Sequence, residues 1–367
     1  MTTALPVLLA GSDDATKNSS PYQVSIIIVS YNSGEALLSC VDSLLAQNYP
    51  NYEVIVVANG STDGSPGRIE KEYPRVTLIN NSSNSGYGHG NNLGAQVAKG
   101  KILAFLNPDA EADQNWLDSL VTSFQQYPQA GLVTSRIVIT SRESIINSAG
   151  NQIHFTGLSF CRGLGEPSDH YMTPEWGLSA SGAGFAVRRE VFDDIGGFDS
   201  LLFLYHDDVD LSLRSRLAGH QCLYAPSCVV KHAFTLRLPP EKWLWVEQNR
   251  YAVLIKSLRW RTLLVLLPAL VFVEILTWSY LASKGAKYLM AKAQSYWWLA
   301  DNLNTLLQHR ALVQAKRRVS DRQLLHTLSV RVPFHQILSK RASALVNGLV
   351  NSVFAGMFHV AALLIRW

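Results

Sequence analysis

Residues 24–30 read VSIIIVS and run on into Tyr31-Asn32. A strand with one wet face alternates apolar and polar side chains, whereas a nearly unbroken β-branched run marks a strand covered on both faces, as in a parallel sheet flanked by helices. The chain after it agrees. Residues 34–47 repeat apolar side chains at helical spacing (Leu37, Leu38, Val41, Leu44, Leu45), and residues 53–57 read as a second strand, completing a βαβ unit. A polar helix follows the turn from Asn59 to Gly64. Residues 76–79 read as a strand, a Gly/Asn-rich loop and helix run to Lys99, and a fourth buried strand at 102–106 ends on Asn107-Pro108-Asp109. The expected fold class is α/β, Rossmann-like, with a mostly parallel sheet flanked by helices. Ligands of such sheets bind outside the carboxyl ends of the strands, where Asn32, Asn59 and Asp109 fall.

The chain has 367 residues, 47% of them hydrophobic and only 16% charged, with mean hydropathy +0.06. Average soluble proteins carry about 25% charged residues, so the composition excludes disorder and points toward a membrane. The net charge of +4 conceals a division: residues 1–236 carry 14 basic and 23 acidic side chains, and residues 237–367 carry 18 and 5. The pattern gives three parts, a lead-in at 1–22, a catalytic-sized α/β domain at 23–238, and a basic, apolar, helical appendage at 239–367 beginning at Pro239-Pro240. Four cysteines without a C-x-x-C pair give no zinc or thioredoxin-like motif and make a reducing compartment the default. The apolar piece Leu5 to Ala10 has no basic residues before it and does not read as a signal peptide.

Three polar features stand out. Asp109 follows a buried strand and a proline, so its carboxylate is presented at the sheet edge, as a hard ligand for Mg²⁺ or Mn²⁺ on a diphosphate or as a plain helix cap or turn aspartate. Asp207, Asp208 and Asp210 crowd three acids into four residues, which suits a general base of raised pKa or the first turn of a helix. His232 ends an apolar strand and could complete a metal site with Asp109 or be structural. The loop Asn84-Ser85-Gly86-Tyr87-Gly88-His89-Gly90-Asn91 is a loose match to a dinucleotide fingerprint, with Asn91 where its third glycine would fall.

In order along the chain stand VSYN (29–32), NGSTDGS (59–65), NSGYGHGNNLG (84–94), NPD (107–109), GAGFAVRR (182–189), GGFD (196–199), DDVDLSLR (207–214) and His232. Together these resemble family 2 glycosyltransferases of the GT-A fold, most closely the rhamnosyltransferase-like branch, over about residues 24–236. The resemblance implies an inverting enzyme that moves a sugar from a nucleotide-diphosphate donor, dTDP or UDP, to an acceptor hydroxyl. It implies that Ser30, Tyr31, Asn32, Asn59 and Asp63, with Asn84, Gly86, Asn91, Asn107, Asp109 and the Gly182-Ala183-Gly184 stretch, form the nucleotide-sugar site. Asp109, with His232, would hold a divalent cation, Mg²⁺ or Mn²⁺, and Asp208, assisted by Asp207, would take the acceptor proton. The sequence departs from the family at Ala58, where an aspartate is usual, and offers one metal carboxylate in NPD. Two other readings share the fold: a polyprenyl-phosphate sugar synthase, which needs no hydroxyl base, and a degenerate binding or assembly subunit.

In the appendage, residues 263–280 are long and apolar enough to approach a membrane span, interrupted by Pro268 and Glu274, and residues 344–365 carry no formal charge. Were both to cross, residues 284–341, with 11 basic and 2 acidic side chains, would lie outside, against the positive-inside rule. The small and polar stripe Ser343, Asn347, Asn351, Ala355, His359 and the run Gly348, Ser352, Gly356 suit close helix packing or a helix lying in the interface. The expected location is the cytoplasmic face of the inner membrane, peripheral or re-entrant, near a lipid-linked saccharide acceptor, with packing on the catalytic domain or on a second copy as the other use of this segment. Basic residues alternating with long apolar runs argue against a nucleic-acid partner.

Overall fold

The structure, a computed structural model, describes residues 23–234 and 238–367. The lead-in at 1–22 lies outside the described residues. Strands β1 (Val24–Ser30), β2 (Tyr52–Asn59), β3 (Val76–Asn81) and β4 (Ile102–Leu106) pair in parallel in the order β4-β1-β2-β3. All seven residues of β1 are buried, the outcome its sequence requires when helices cover both faces. Helices α1 (Gly34–Leu45), α2 (Ser65–Glu72) and α3 (Tyr87–Val97) form the crossovers, and α1 buries Leu37, Leu38, Cys40, Val41 and Leu44 along one stripe.

The glycines of the 84–94 motif serve this packing. A Cβ on Gly94 would stand 2.4 Å from Ile27 Cγ2, so α3 lies flush against β1 only because there is none. At Gly86, where φ is +87°, a Cβ would stand 2.2 Å from the carbonyl oxygen of Phe203. The spacing that loosely resembles a dinucleotide fingerprint is thus a record of close helix and loop contacts.

The chain continues through β5 (Ala110–Ala112), helix α4 (Trp116–Gln126), β6 (Ala130–Ile139), β7 (Arg142–Ser148), β8 (Asn151–Ile153) and β9 (Ser159–Cys161), β10 (Glu175–Trp176), β11 (Gly184–Arg188), helices α5 (Arg189–Ile195) and α6 (Asp207–Leu217), and β12 (Gln221–His232); β8 and β9 form a separate two-stranded sheet, and the other strands extend the main one. The path of the main sheet is β10-β12-β6-β11-β4-β1-β2-β3. β11 runs antiparallel between β4 and β6, so the sheet is mixed, with its parallel centre where the sequence placed it.

Among the described residues six α-helices follow: α7 (Pro240–Ser257), α8 (Trp260–Ala282), α9 (Ala286–Asp301), α10 (Leu303–Ala315), α11 (Asp321–Leu325) and α12 (Lys340–Leu364). They share one core with part of the α/β layer: Phe155, Leu213 and Leu217 cluster with Leu254, Leu266 and Phe354. The backbone is stitched as well, Ser329 N–H donating to Ile153 O at 2.7 Å and Phe155 N–H to Ser329 O at 3.1 Å. Glu274, an interruption in the sequence, faces inward. Arg250 of α7 reaches it at 2.6 Å and Lys292 of α9 at 3.1 Å, and Glu247 shares both cations. In the stripe on α12 the packing is partial. Asn351 bonds Val332 N–H at 2.8 Å, whereas Gly348, Ser352 and Gly356 face away from the rest of the chain.

Candidate active site

The strand pairing brings Asp109 and His232 together. β5 runs antiparallel to the end of β12 with Ala110 opposite His232, so the residue before Ala110 lies beside that histidine. Ala233 N–H donates to Asp109 O at 3.1 Å, and Asp109 Oδ1 stands 3.2 Å from His232 Nε2. His232 Nδ1 lies 2.8 Å from Asn147 Oδ1, which orients the ring so that Nε2 faces the aspartate. Burial pulls the Asp109 carboxyl upward, but the hydrogen bond and charge of His232 outweigh it and hold the group below its ordinary range.

The donor set fits a hard divalent cation. Among the described residues no group of three or more His, Cys, Asp or Glu side chains surrounds a point. One carboxylate and one imidazole leave most positions to diphosphate oxygens and water, as suits Mg²⁺ or Mn²⁺ arriving with a donor.

Asp208 lies across a short turn from this pair. Its Oδ2 accepts from Gly182 N–H at 2.8 Å and from Asn151 Nδ2 at 3.2 Å, and its Oδ1 from Val209 N–H at 2.8 Å. The next carbonyl, Ala183 O, accepts from Asn107 N–H at 3.3 Å, so the 182–184 stretch links Asp208 to the NPD segment. Burial raises the Asp208 carboxyl above its ordinary value, and the bonds from Gly182, Val209 and Asn151 oppose this without cancelling it. Asp207 points away, toward α3, where a Cβ on Gly88 would come within 3.1 Å of its Oδ1. Its carboxyl is pushed well up by burial and by the Asp208 charge. Asp210 lies deeper, paired with Arg214 at 2.6 Å and Lys256 at 2.7 Å.

The loops at the carboxyl ends of β1 and β2 are laced together. Ser61 Oγ donates to Ser30 O at 3.0 Å, Thr62 N–H donates to Asn32 Oδ1 at 2.8 Å, and Gly34 N–H donates to Asp63 Oδ2 at 2.8 Å. Tyr31 stands half exposed above them. Asn59 is buried and spends its amide within the protein, donating to Asn84 Oδ1 and Gly86 O and accepting from Asn81 and Ser85. Asn91 is equally buried, with its amide on Tyr87 O. These two hold the loops in place, while Tyr31, Asn32 and Asp109 offer the accessible side chains. Asn147 and Asn151, which sequence reasoning missed, flank the β7–β8 turn and reach His232 and Asp208 respectively. Two asparagines around Ser-Ala-Gly read as turn residues, and only the folded sheet aims them at the site.

The model of glycosyl transferase family 2 matches residues 25–196, from β1 through the glycine after α5. The match takes in 172 of the 367 residues, so this part of the chain is similar to glycosyl transferase family 2. The family match stops before Asp207, Asp208 and His232. The chain is 35% identical over 244 residues to the O-antigen biosynthesis protein RfbC of Myxococcus xanthus, covering 62% of this chain and 19% of that protein. It is 28% identical over 232 residues to the N-acetylglucosaminyl-diphospho-decaprenol L-rhamnosyltransferase of Mycobacterium tuberculosis, covering 56% of this chain and 75% of that one. The chain thus spans about a fifth of the first relative and three quarters of the second. A crystal structure of GalNAc-T7 with UDP, GalNAc and Mn²⁺ shares the fold, at TM-score 0.53 and 21% identity over 65% of this chain and 48% of that one. The matched part of the chain accordingly has an α/β architecture of the GT-A fold.

Proposed function

We propose that the protein is an inverting glycosyltransferase that moves a sugar, rhamnose being the relative's example, from a dTDP- or UDP-sugar to a hydroxyl of a lipid-linked saccharide in cell-surface polysaccharide or lipopolysaccharide synthesis. The observation that carries it is the path of short backbone segments and two hydrogen bonds, Asp208 to Gly182 and Ala183 to Asn107, that ties Asp208 to the Asp109–His232 pair. At one end stands a buried carboxylate able to take a proton, and at the other a pair able to hold a cation. In the reaction the acceptor oxygen bonds to the sugar C1 as its proton passes to Asp208, and the bond from C1 to the diphosphate oxygen breaks with its electron pair leaving on the diphosphate. Asp109 and His232 would hold the cation, whose charge stabilises the leaving diphosphate. The 30–34 and 59–65 loops would floor the nucleotide.

A thermal-shift screen against UDP-, dTDP- and GDP-sugars, with and without Mn²⁺, tests this. A donor at about 100 times its dissociation constant stabilises the fold by roughly 2.7 kcal/mol. A shift with one nucleotide that requires Mn²⁺ and disappears in Asp109→Ala is the expected outcome. A shift of equal size in the variant would remove Asp109 from the metal site.

We also infer that the protein sits on an anionic bilayer surface, on the cytoplasmic face of the inner membrane. Helices α8 and α12 are each long and apolar enough to cross a membrane and expose most of their length. Phe272 and Phe354 hold them side by side with ring centroids 5.1 Å apart. Leu264, Leu267, Val271 and Ile275 on one, with Leu345, Leu349, Val360 and Leu363 on the other, are exposed. Arg261 and Lys284 flank α8, and Arg341 and Arg366 lie at the ends of α12. Bases at both ends of both helices support helices lying along an anionic leaflet more than helices crossing it. In cell fractionation the protein should pellet with membranes and resist a high-salt wash, because apolar burial is not screened by salt. A wholly soluble chain at low salt would refute this.

A further inference from the structure

The first turn of α6, which carries Asp208, is entered through an unfavourable backbone. Tyr205 (φ 68°) and His206 (φ 61°) both lie in the left-handed region, and neither is a glycine. Two successive residues of this kind persist only when their surroundings hold them. The hold comes from α7, in the segment beyond the family match. Asn249, fully buried, donates both amide hydrogens to this turn, to Leu204 O at 2.9 Å and Tyr205 O at 2.8 Å. Its orientation follows from chemistry, since the flipped amide would set its oxygen against two carbonyl oxygens. Among the described residues its own oxygen, also buried, has no partner, so there the two donated bonds are the polar interactions this side chain makes. Trp245, one turn earlier, stacks on Phe203 with ring centroids 4.9 Å apart, and Phe203 O accepts Tyr87 N–H at 2.9 Å from the donor-side loop. The body of α6 is anchored separately. Arg214 bonds Asp210 and Ile195 O, and Lys256 bonds Asp210 and Asp199.

We propose that Asn249 is a positioning residue for transfer: by clamping the left-handed Tyr205–His206 turn it sets the direction in which α6 presents Asp208 to Gly182 and Asn151. The proposal rests on the reading of Asp208 as the base. It makes α7 part of the working site and not only a support for the appendage. Without the clamp the turn relaxes toward right-handed backbone, and the bonds of Asp208, at the very start of α6, are the first to open, while Asp210 onward stays in place.

The test compares Asn249→Ala, Asn249→Ser and Asp208→Asn with the full chain. Hydrogen exchange by mass spectrometry reads the positions directly. In Asn249→Ala, peptides covering 204–209 and 181–184 should exchange faster while 210–217 keeps its protection. Nucleoside-diphosphate release from UDP- and dTDP-sugars over detergent-solubilised envelope lipids should fall in kcat by roughly 10²-fold, the scale of a displacement of about 1 Å at a reacting group, with the donor KM within about twofold. Asn249→Ser keeps one donor and should recover part of kcat. Unchanged exchange at 204–209 and unchanged kcat, in protein whose Asp208→Asn variant is inactive, would overturn the clamp and leave the base assignment standing. Full activity of Asp208→Asn would instead overturn the base. Loss of protection across all of α6 in both Asn249 variants would reduce the residue to a fold-holding role and also overturn the proposal.

Discussion

Asp208→Asn is expected to slow sugar transfer by about 10²–10⁴-fold, the usual contribution of a positioned base, while the donor-dependent thermal shift stays nearly the same. The substitution keeps the shape of the side chain and, with the amide oxygen in the Oδ2 position, the bonds from Gly182 and Asn151, but it gives up the bond from Val209 and removes the group that would take the acceptor proton. The pH dependence carries a sign. A base works in its ionised form, so the rate falls as pH drops through its pKa, and burial places that pKa above the ordinary carboxyl value of about 3.9. The acid limb of kcat/KM should therefore lie above that value. An acid limb at the ordinary position, or a variant that loses donor binding and transfer equally, would place the base elsewhere.

The largest stability effect is expected at Lys256→Met. Lys256 is fully buried and sits between Asp199 and Asp210, themselves nearly or fully buried. Removing the cation breaks two buried ion pairs and leaves Asp199 to His309 and Asp210 to Arg214, which costs roughly 3–5 kcal/mol. Urea unfolding followed by circular dichroism reads this directly, and Lys256→Met combined with Asp199→Asn should recover part of the loss. Glu35→Gln, which removes an exposed partner of Arg68, serves as the contrast and should change stability by about 1 kcal/mol or less. Although burial pulls the Asp199 carboxyl upward, His309 and Lys256 together hold it well below its ordinary range. Its contribution is therefore present above the unfolded value near 3.9 and is lost as pH falls through the depressed folded one. Equal effects of the buried and exposed substitutions would contradict this account.

How far the sequence was readable follows from which interactions are local. The apolar run at 24–30 and the 3.6-residue spacing after it place β1, α1 and β2 because burial on both faces and helical periodicity leave direct marks. Asp109, Asp208 and His232 stand out as polar groups at the ends of apolar strands or in a charge cluster. Lys256 and Asn249 do not, since they occupy a helix whose composition reads as a basic surface and their burial exists only once α6 and α10 are packed on it. Glu274 reads as a break in a membrane-like helix for the same reason. Its partners Arg250 and Lys292 lie on two other helices. The glycines at 86–94 suggest a ligand cradle by spacing alone, and only the distance from Gly94 to Ile27 shows that they admit a helix onto a strand.

The buried lysine between two aspartates also bears on the order in which the protein becomes complete during synthesis. Chains emerge from the ribosome amino end first, and 46 residues separate Asp210 from Lys256. Until that stretch has emerged, Asp210 has Arg214 beside it but not Lys256, and Asp199 lacks that cation too, so burying the two acids is less favourable. The sheet can assemble early, but the buried ion pairs that fasten α6 to α7 are complete only after α7 arrives.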